Sequence, residues 1–379
     1  MVTMKEIARL ANVSQQAVSA ALSGTDFSLV GDLSGATRSR VSEKTRKKIL
    51  KIAAELNYVP STASRMLKGG SSNTIGIFRQ APFYGIEPLL ARELSARLAQ
   101  CGYDTLDSNR LAMLDDSSRG RKKRMSESSA DKIVRMMESK GVAGIIVFPG
   151  SNMVVPQKFR VPRLFLRTPE NFDIHVDYDY GGRIAVKHLY GHGRRRIAFF
   201  SYYESKCHGR MTAWENFLKE AGIYDPELLI TGAKIAENGG LPELVRKLKI
   251  DAIAVQNDLF AARLIRECLD AGIRVPDDVA MIGYDGLSVC ELAAVPIATM
   301  VQPVCEIARK SVELLKERID NKIVDAEFAN ILFKPKLHCS ASCGCPAAPM
   351  QKLDLFNEAS SWSLALAGEE SAVLQSCAE

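Results

Sequence analysis

The chain has no run of eighteen or more apolar residues, so no segment of its 379 residues is expected to span a membrane. Its first residues are amphipathic and lack an apolar signal core and a cleavage site, which points to the cytoplasm. Walker loops, GxSxG elbows and HExxH helices are all missing, and no nucleophile–base constellation replaces them, so no catalytic residues are expected. The nine cysteines are scattered singly except near the end, a pattern expected of reduced and partly core residues in a cytosolic protein. His338-Cys339-x3-Cys343-Gly-Cys345 is the exception. It is not a C-x2-C pair and no second pair lies nearby, so neither a metal nor a cofactor is expected.

Charge is present but unevenly spread. The chain carries 50 Lys+Arg against 44 Asp+Glu, yet residues 1–70 alone hold 11 basic and 5 acidic residues and the rest is balanced at 39 of each. A segregated basic excess of this kind suits phosphate neutralisation. The same segment opens with two short helical patterns. Thr3 and Glu6 read as a capping box, and Ile7, Ala8, Leu10 and Ala11 as one apolar face. Asn12 stands where the chain must turn, and asparagine tolerates positive φ. Ser14 caps a second helix with Val18, Ala21 and Leu22 inside and Gln15, Gln16 and Ala20 facing outward. This is helix-turn-helix spacing, with the second helix offered to a major groove; the alternative is an ordinary helical hairpin. A third helix starts at Ser42-Glu43, carries Thr45, Ile49, Leu50, Ile52, Ala53 and Leu56 as an apolar stripe, and is stopped before Pro60. Residues 61–67 are too few for a stable lone helix and would fold only against DNA or a partner. Residues 69–73 read as a linker, and residues 23–40 as a loop without helical period.

From Thr74 apolar strands alternate with amphipathic helices. The strands fall near residues 74–78, 142–148, 162–166, 196–201, 251–255 and 279–283, and the helices near 86–101, 180–189, 210–221 and 259–272. This is an α/β pattern of buried parallel strands. Open sheets bind ligands at the carboxyl ends of their strands, which singles out Arg79, Gln80, Arg167, Asn257, Asp258 and Asp285. Arg119 to Arg124 reads as a solvated basic loop before a helix near Ser129. Residues 346–379 form either a short docked helix or a disordered extension.

The motifs Val2-Thr-Met-Lys-Glu-Ile-Ala8, Val13-Ser14…Val18-Ser19, Val41-Ser-Glu-Lys-Thr-Arg46, Leu56-Asn-Tyr-Val-Pro60, Gly191-His-Gly-Arg-Arg-Arg-Ile197, Gln256-Asn-Asp258 and Ala271 to Asp285 follow in order, in a pattern that runs from Val2 to about Cys345, about nine-tenths of the chain. In this order the chain resembles the lactose-repressor (LacI/GalR) family of bacterial transcription regulators. The resemblance implies an all-α helix-turn-helix DNA-binding domain with a hinge helix over residues 1–70. It implies a two-lobed, periplasmic-binding-protein-like body with two parallel sheets over residues 74–345, followed by an extension over 346–379. It further implies a homodimer on a pseudo-palindromic double-stranded DNA operator, answering to a small-molecule effector such as a sugar or sugar derivative. By matching position, Ser14, Gln15, Gln16 and Ala20 belong to the DNA-reading helix, Ser61 and Ser64 to the hinge, and Leu67 is the minor-groove wedge. Ser61 and Ser64 depart from the family's usual Asn and Ala. The loop around residues 24–40 is longer than usual and reads as an insertion, rather than as a phosphate contact through Arg38 and Arg40.

In the body the resemblance assigns Arg210, Asn257 and Asp285 to the effector, with Asp258 either sharing that role or shaping the loop. Arg79 replaces a small residue and Arg167 stands where many members place an aspartate; Gln302-Pro303-Val304 lacks an aromatic found in some members, and Phe83 and Tyr84 read as pocket wall. Three arginines near one cleft need an anionic answer. Either Asp258 and Asp285 supply it internally, or the effector carries a carboxylate or phosphate. The competing functions are a transport-type solute-binding protein, against which the basic N-terminal segment and missing signal speak, an enzyme on the same body, and a regulator that has lost its effector response.

Overall fold

The computed structural model describes residues 4–22, 41–56, 72–79, 85–108, 127–148, 158–166, 172–202 and 209–346, apart from the side chains of 127–129. Thr3, the 24–40 loop, Ser61, Ser64, Leu67, Gln80, Phe83, Tyr84, the Arg119–Arg124 run, Arg167 and the tail from 347 on lie outside the described residues. The chain divides into two compact units, Met1–Ser72 and Asn73–Glu379.

The first unit contains α1 (Met4–Ala11), α2 (Gln15–Leu22) and α3 (Glu43–Glu55). Their shared core is Ile7, Ala8, Ala11, Val18, Ala21, Leu22, Ile49 and Ala53. Leu10, expected on the inner face, is instead 45% exposed. At 100° per residue, Ile7, Ala8 and Ala11 fill one arc of α1 and Leu10 falls outside it. Asn12 turns the chain with φ of 54°, the conformation its side chain tolerates. The hydroxyl of Ser14 accepts from the backbone of Ala17 at 3.2 Å, and that of Ser42 from Thr45 at 3.3 Å, so α2 and α3 both start on a serine cap. Two cations of α3 close the unit from the other end. Lys48 donates to the Ala11 carbonyl at 3.0 Å and Arg46 to that of Ala21 at 3.5 Å, each at the negative end of a helix.

The second unit is built on two parallel sheets. In its first lobe β1 (Thr74–Phe78), α4 (Glu87–Gln100), β2 (Asp104–Asp107), α5 (Glu127–Ser139), β3 (Gly144–Val147) and β4 (Arg163–Phe165) alternate, and the strand order is β2-β1-β3-β4. β5 (Ile174–Val176) leads into α6 (Tyr178–Gly191) and the second lobe. There β6 (Ile197–Ser201), α7 (Arg210–Glu220), β7 (Leu229–Thr231), α8 (Gly232–Glu237), α9 (Leu241–Leu248), β8 (Ala252–Val255), α10 (Asp258–Asp270), β9 (Ala280–Asp285), α11 (Val289–Leu292) and β10 (Ala298–Val301) follow. The chain then returns through α12 (Val304–Asp320), which packs into the first lobe's core, and through β11 (Ile331–Phe333), which pairs with β5. β12 (Lys336–His338) lies antiparallel on the edge of β10, completing the order β12-β10-β9-β8-β6-β7.

Both faces of the first sheet are covered, which is why its strands read as unbroken apolar runs. Ile75, Ile77 and Ile146 pack with Leu90, Leu94, Ile307 and Leu315, while Phe78, Ile145 and Val147 pack with Ile133, Val134 and Met137. One ion pair is sealed inside this lobe. Arg318 donates to both carboxylate oxygens of Asp173 at 2.6 and 2.9 Å. Asp173 also accepts from the backbone of Phe165 and Ala329, so its remaining lone pairs are used.

Candidate functional site

On α2 the side chains of Gln15 and Gln16 are exposed in the first turn and Ala20 is half-buried. The hydroxyl of Ser14 is engaged as the cap. An exposed glutamine amide carries both a donor and an acceptor, the pair needed to read adenine in a major groove. Among the basic residues of α3, Arg46 and Lys48 are tied to carbonyls of the unit itself, whereas Lys47 is solvent-exposed beside Glu43.

In the body, the parallel β8 and β9 end together, and their carboxyl ends bring several polar groups to one place. Asn257 caps α10, its side-chain oxygen accepting from Phe260 at 3.0 Å. Arg210 opens α7. Its guanidinium lies 4.7 Å from the ring centres of both Tyr178 and Tyr284, and Nη1 donates to the Gln256 carbonyl. Among the described residues its Nε is buried without a hydrogen-bond partner, as is the hydroxyl of Tyr284. The helix start is fixed in place because α6 touches it: a Cβ at Gly182 would lie 2.8 Å from the Arg210 Cα.

Asp285 ends β9 at φ of 121°, a conformation that costs about 1–3 kcal/mol for a non-glycine residue. Its carboxylate accepts from Gln302 at 2.6 Å. From the first lobe Gly85 approaches it closely, since a Cβ there would lie 3.2 Å from Asp285 Oδ2. Asp258 is fully buried behind this point. It accepts from the backbone of Gly286 and Leu287 at 2.7 and 2.8 Å and from the Thr299 hydroxyl at 2.6 Å. Gly283 lies against it so closely that any side chain there would collide with the carboxylate. Burial, with Asp285 adding repulsion, pushes Asp258 up to about 7, against the opposing pull of Thr299 and the Leu287 amide. Its contacts shape the loop after β9.

Arg79 follows β1 and is answered by Asp107 at the end of the neighbouring β2, with Nε 2.8 and 2.9 Å from the two carboxylate oxygens. For Arg79 an internal acid is Asp107. Parallel register puts Asp107 beside Ile77, and only the fold reveals that neighbour. Tyr178, Tyr284 and Asp107 were not singled out by sequence, and Gln302 was noted only for lacking an aromatic. Tyr284 had a signal: it directly precedes Asp285 at a strand end.

The family model for bacterial regulatory proteins of the lacI family matches residues 3–61, and that for the periplasmic binding protein-like domain matches residues 186–342, together more than half of the chain. The chain belongs to the lacI family. Among its relatives in that family, the HTH-type transcriptional repressor PurR of Photobacterium profundum is 27% identical over 340 residues, covering 85% of this chain and 93% of that protein. The ribose operon repressor of Haemophilus influenzae is 27% identical over 334 residues with the same coverage. Of solved lacI-family structures, the lac repressor dimer bound to operator and the anti-inducer ONPF aligns with a TM-score of 0.70 at 22% identity, covering 90% of this chain and 99% of that one. A complex of the transcriptional regulator CelR with cellobiose aligns with a TM-score of 0.56 at 22% identity, covering 90% and 100%. These alignments show the same fold: a helical N-terminal unit followed by an α/β body with parallel sheets. Among the described residues no helix is long and apolar enough to cross a membrane.

Proposed function

We propose that this chain is a cytoplasmic transcription repressor that binds a pseudo-palindromic operator as a homodimer and responds to a small hydroxylated effector. The observation that carries the reading is the combination, in one chain, of a capped helix-turn-helix offering Gln15 and Gln16 with a body that gathers Arg210, Asn257, Asp285 and Gln302 at its strand ends. The relatives at 27% identity are repressors by name, not enzymes. In this reading Gln15 and Gln16 contact base edges, Ala20 offers a methyl contact, and Leu67 wedges into the minor groove with Ser61 and Ser64 beside it.

The effector chemistry follows from charge. Arg79 already has a carboxylate in Asp107, and Asp258 is spent on backbone amides. Among the described residues, the Arg210 guanidinium stands with the Asp285 carboxylate and the amides of Asn257 and Gln302, a set that brackets neighbouring hydroxyls better than it neutralises an anion; Arg167 lies outside the described residues. A neutral sugar is therefore the favoured class over a sugar acid or phosphosugar. An effector that binds one arrangement of the lobes more tightly shifts the population toward it, and DNA affinity changes by the same coupling. Calorimetry of the full chain against neutral sugars, sugar acids and phosphosugars tests the class. Binding confined to the anionic ligands would overturn it.

A further inference from the structure

The end of the described body holds a cluster that the DNA and effector sites do not use. Nε2 of His188, on α6, lies 3.3 Å from Sγ of Cys343, 3.6 Å from Sγ of Cys345 and 3.9 Å from Sγ of Cys339. His192, one turn further along α6, places its Nε2 3.4 Å from Cys345 Sγ. We propose that Cys339, Cys343, Cys345 and His188 form a tetrahedral zinc(II) site that fastens the end of the body to α6.

Three facts converge on a cation. The first is size. Zinc–sulfur bonds of about 2.3 Å and zinc–nitrogen bonds of about 2.0 Å put tetrahedral sulfur and nitrogen ligands about 3.5 Å apart. The three distances from His188 bracket that edge, and the ligand atoms of His188, Cys343 and Cys345 all lie within 4.8 Å of one another. The second is hydrogen-bond capacity. A neutral imidazole nitrogen accepts one proton, so three thiols gathered round a single nitrogen cannot all be satisfied by it. The Cys343 thiol moreover has an acceptor of its own in the Ser340 carbonyl at 3.1 Å. A cation at the centre satisfies all four donors at once. The third is construction. β12 delivers Cys339 to the sheet edge beside α6, the turn Ala341–Cys343 bends the chain back, and Gly344 at φ of 94° lets Cys345 return to the same side. Ser342 pins this turn inside the lobe, accepting from Ala298 at 2.8 Å and donating to Met281 at 2.7 Å.

Three thiolates and an imidazole in a tetrahedron select zinc among the common divalent ions, and a full protein donor set marks a structural site with no position left for substrate. Binding exchanges the three thiol protons for one Zn2+, with the protons released to solvent and no change in oxidation state. The clamp would stiffen α6, whose first residue, Tyr178, packs against Arg210. His192 stands beside the tetrahedron, its ring 4.5 Å from that of His188.

The test is metal analysis of the full chain purified without chelator. One equivalent of zinc per chain is expected, falling to none in Cys339→Ser and Cys345→Ser, which alter half-buried positions. Cys101→Ser, at an exposed cysteine away from the cluster, should keep it. Replacing zinc with cobalt(II) should give the visible bands of a tetrahedral ion and thiolate-to-metal charge transfer. If Cys345→Ser fails to fold, thiol titration of the unmodified chain decides: three thiols should become reactive only after chelation. A folded chain that neither retains zinc nor takes up zinc or cobalt, or one isolated with a disulfide among Cys339, Cys343 and Cys345, would overturn the proposal.

Discussion

Replacing Arg210 with methionine separates binding from stability. Removing the guanidinium costs the folded chain a charge-assisted hydrogen bond to Gln256, about 1.5–3 kcal/mol, and two cation–π contacts with Tyr178 and Tyr284, about 0.5–2 kcal/mol each. It also removes an Nε that is buried without a partner among the described residues, a relief of about 1–3 kcal/mol. The losses sum to about 2.5–7 kcal/mol against that relief, so unfolding free energy should fall by about 1.5–4 kcal/mol, at the lower end where methionine refills the volume. Nothing offsets the loss on the ligand side. One charge-assisted hydrogen bond to the effector is worth about 1.5–3 kcal/mol, so its affinity should fall by about 10- to 150-fold. Calorimetry on the ligand found by the sugar panel, with urea unfolding of the same preparation, measures both. Unchanged affinity in a folded variant would refute the role given to Arg210.

Arg318→Met leaves Asp173 buried without its counter-charge and should destabilise the body by about 3–5 kcal/mol in urea unfolding, with part of the loss recovered when Asp173→Leu is added. Stability should also depend on pH through Asp258. Its folded value near 7 lies above the unfolded value of about 3.9, so the native state holds a proton the unfolded chain has lost. That contribution is fully present at low pH, declines as pH rises from about 4 to about 7, and is level above; Asp258→Asn should abolish this slope, and an unaltered slope would contradict it. Gln16→Ala should weaken binding to operator by about 5- to 150-fold while leaving random duplex unaffected in titrations, because base contacts specify and phosphate contacts do not.

Local chemistry was the most readable layer. Ser14 and Ser42 open their helices as caps, and Asn12 takes the positive φ its residue type permits, each from a neighbour within three or four positions. α12 was missed although its signal is present: Pro303 precedes it and Val304, Ile307, Ala308, Val312 and Leu315 recur at helical spacing. The short strands β5, β7, β11 and β12 span three residues each, too few to show a period. Long-range pairing was the least readable layer. Asp107 reaches Arg79 across parallel register, Asp173 meets Arg318 from 145 positions away, and His188 meets Cys343 from 155. The proposed fourth donor, His188, sits on a helix far upstream of Cys339, a neighbour that sequence spacing does not reveal.

The central claim is that DNA recognition resides in the first unit and ligand sensing in the second. Footprinting and gel-shift titration on DNA flanking the gene, with the full chain and with a chain lacking residues 1–72, test it together. The full chain should protect a two-fold-symmetric sequence, with affinity that changes when the effector is added. The shortened chain should bind effector and no operator. Protection of the same sequence by the shortened chain, or equal binding of the full chain to every duplex, would contradict the account.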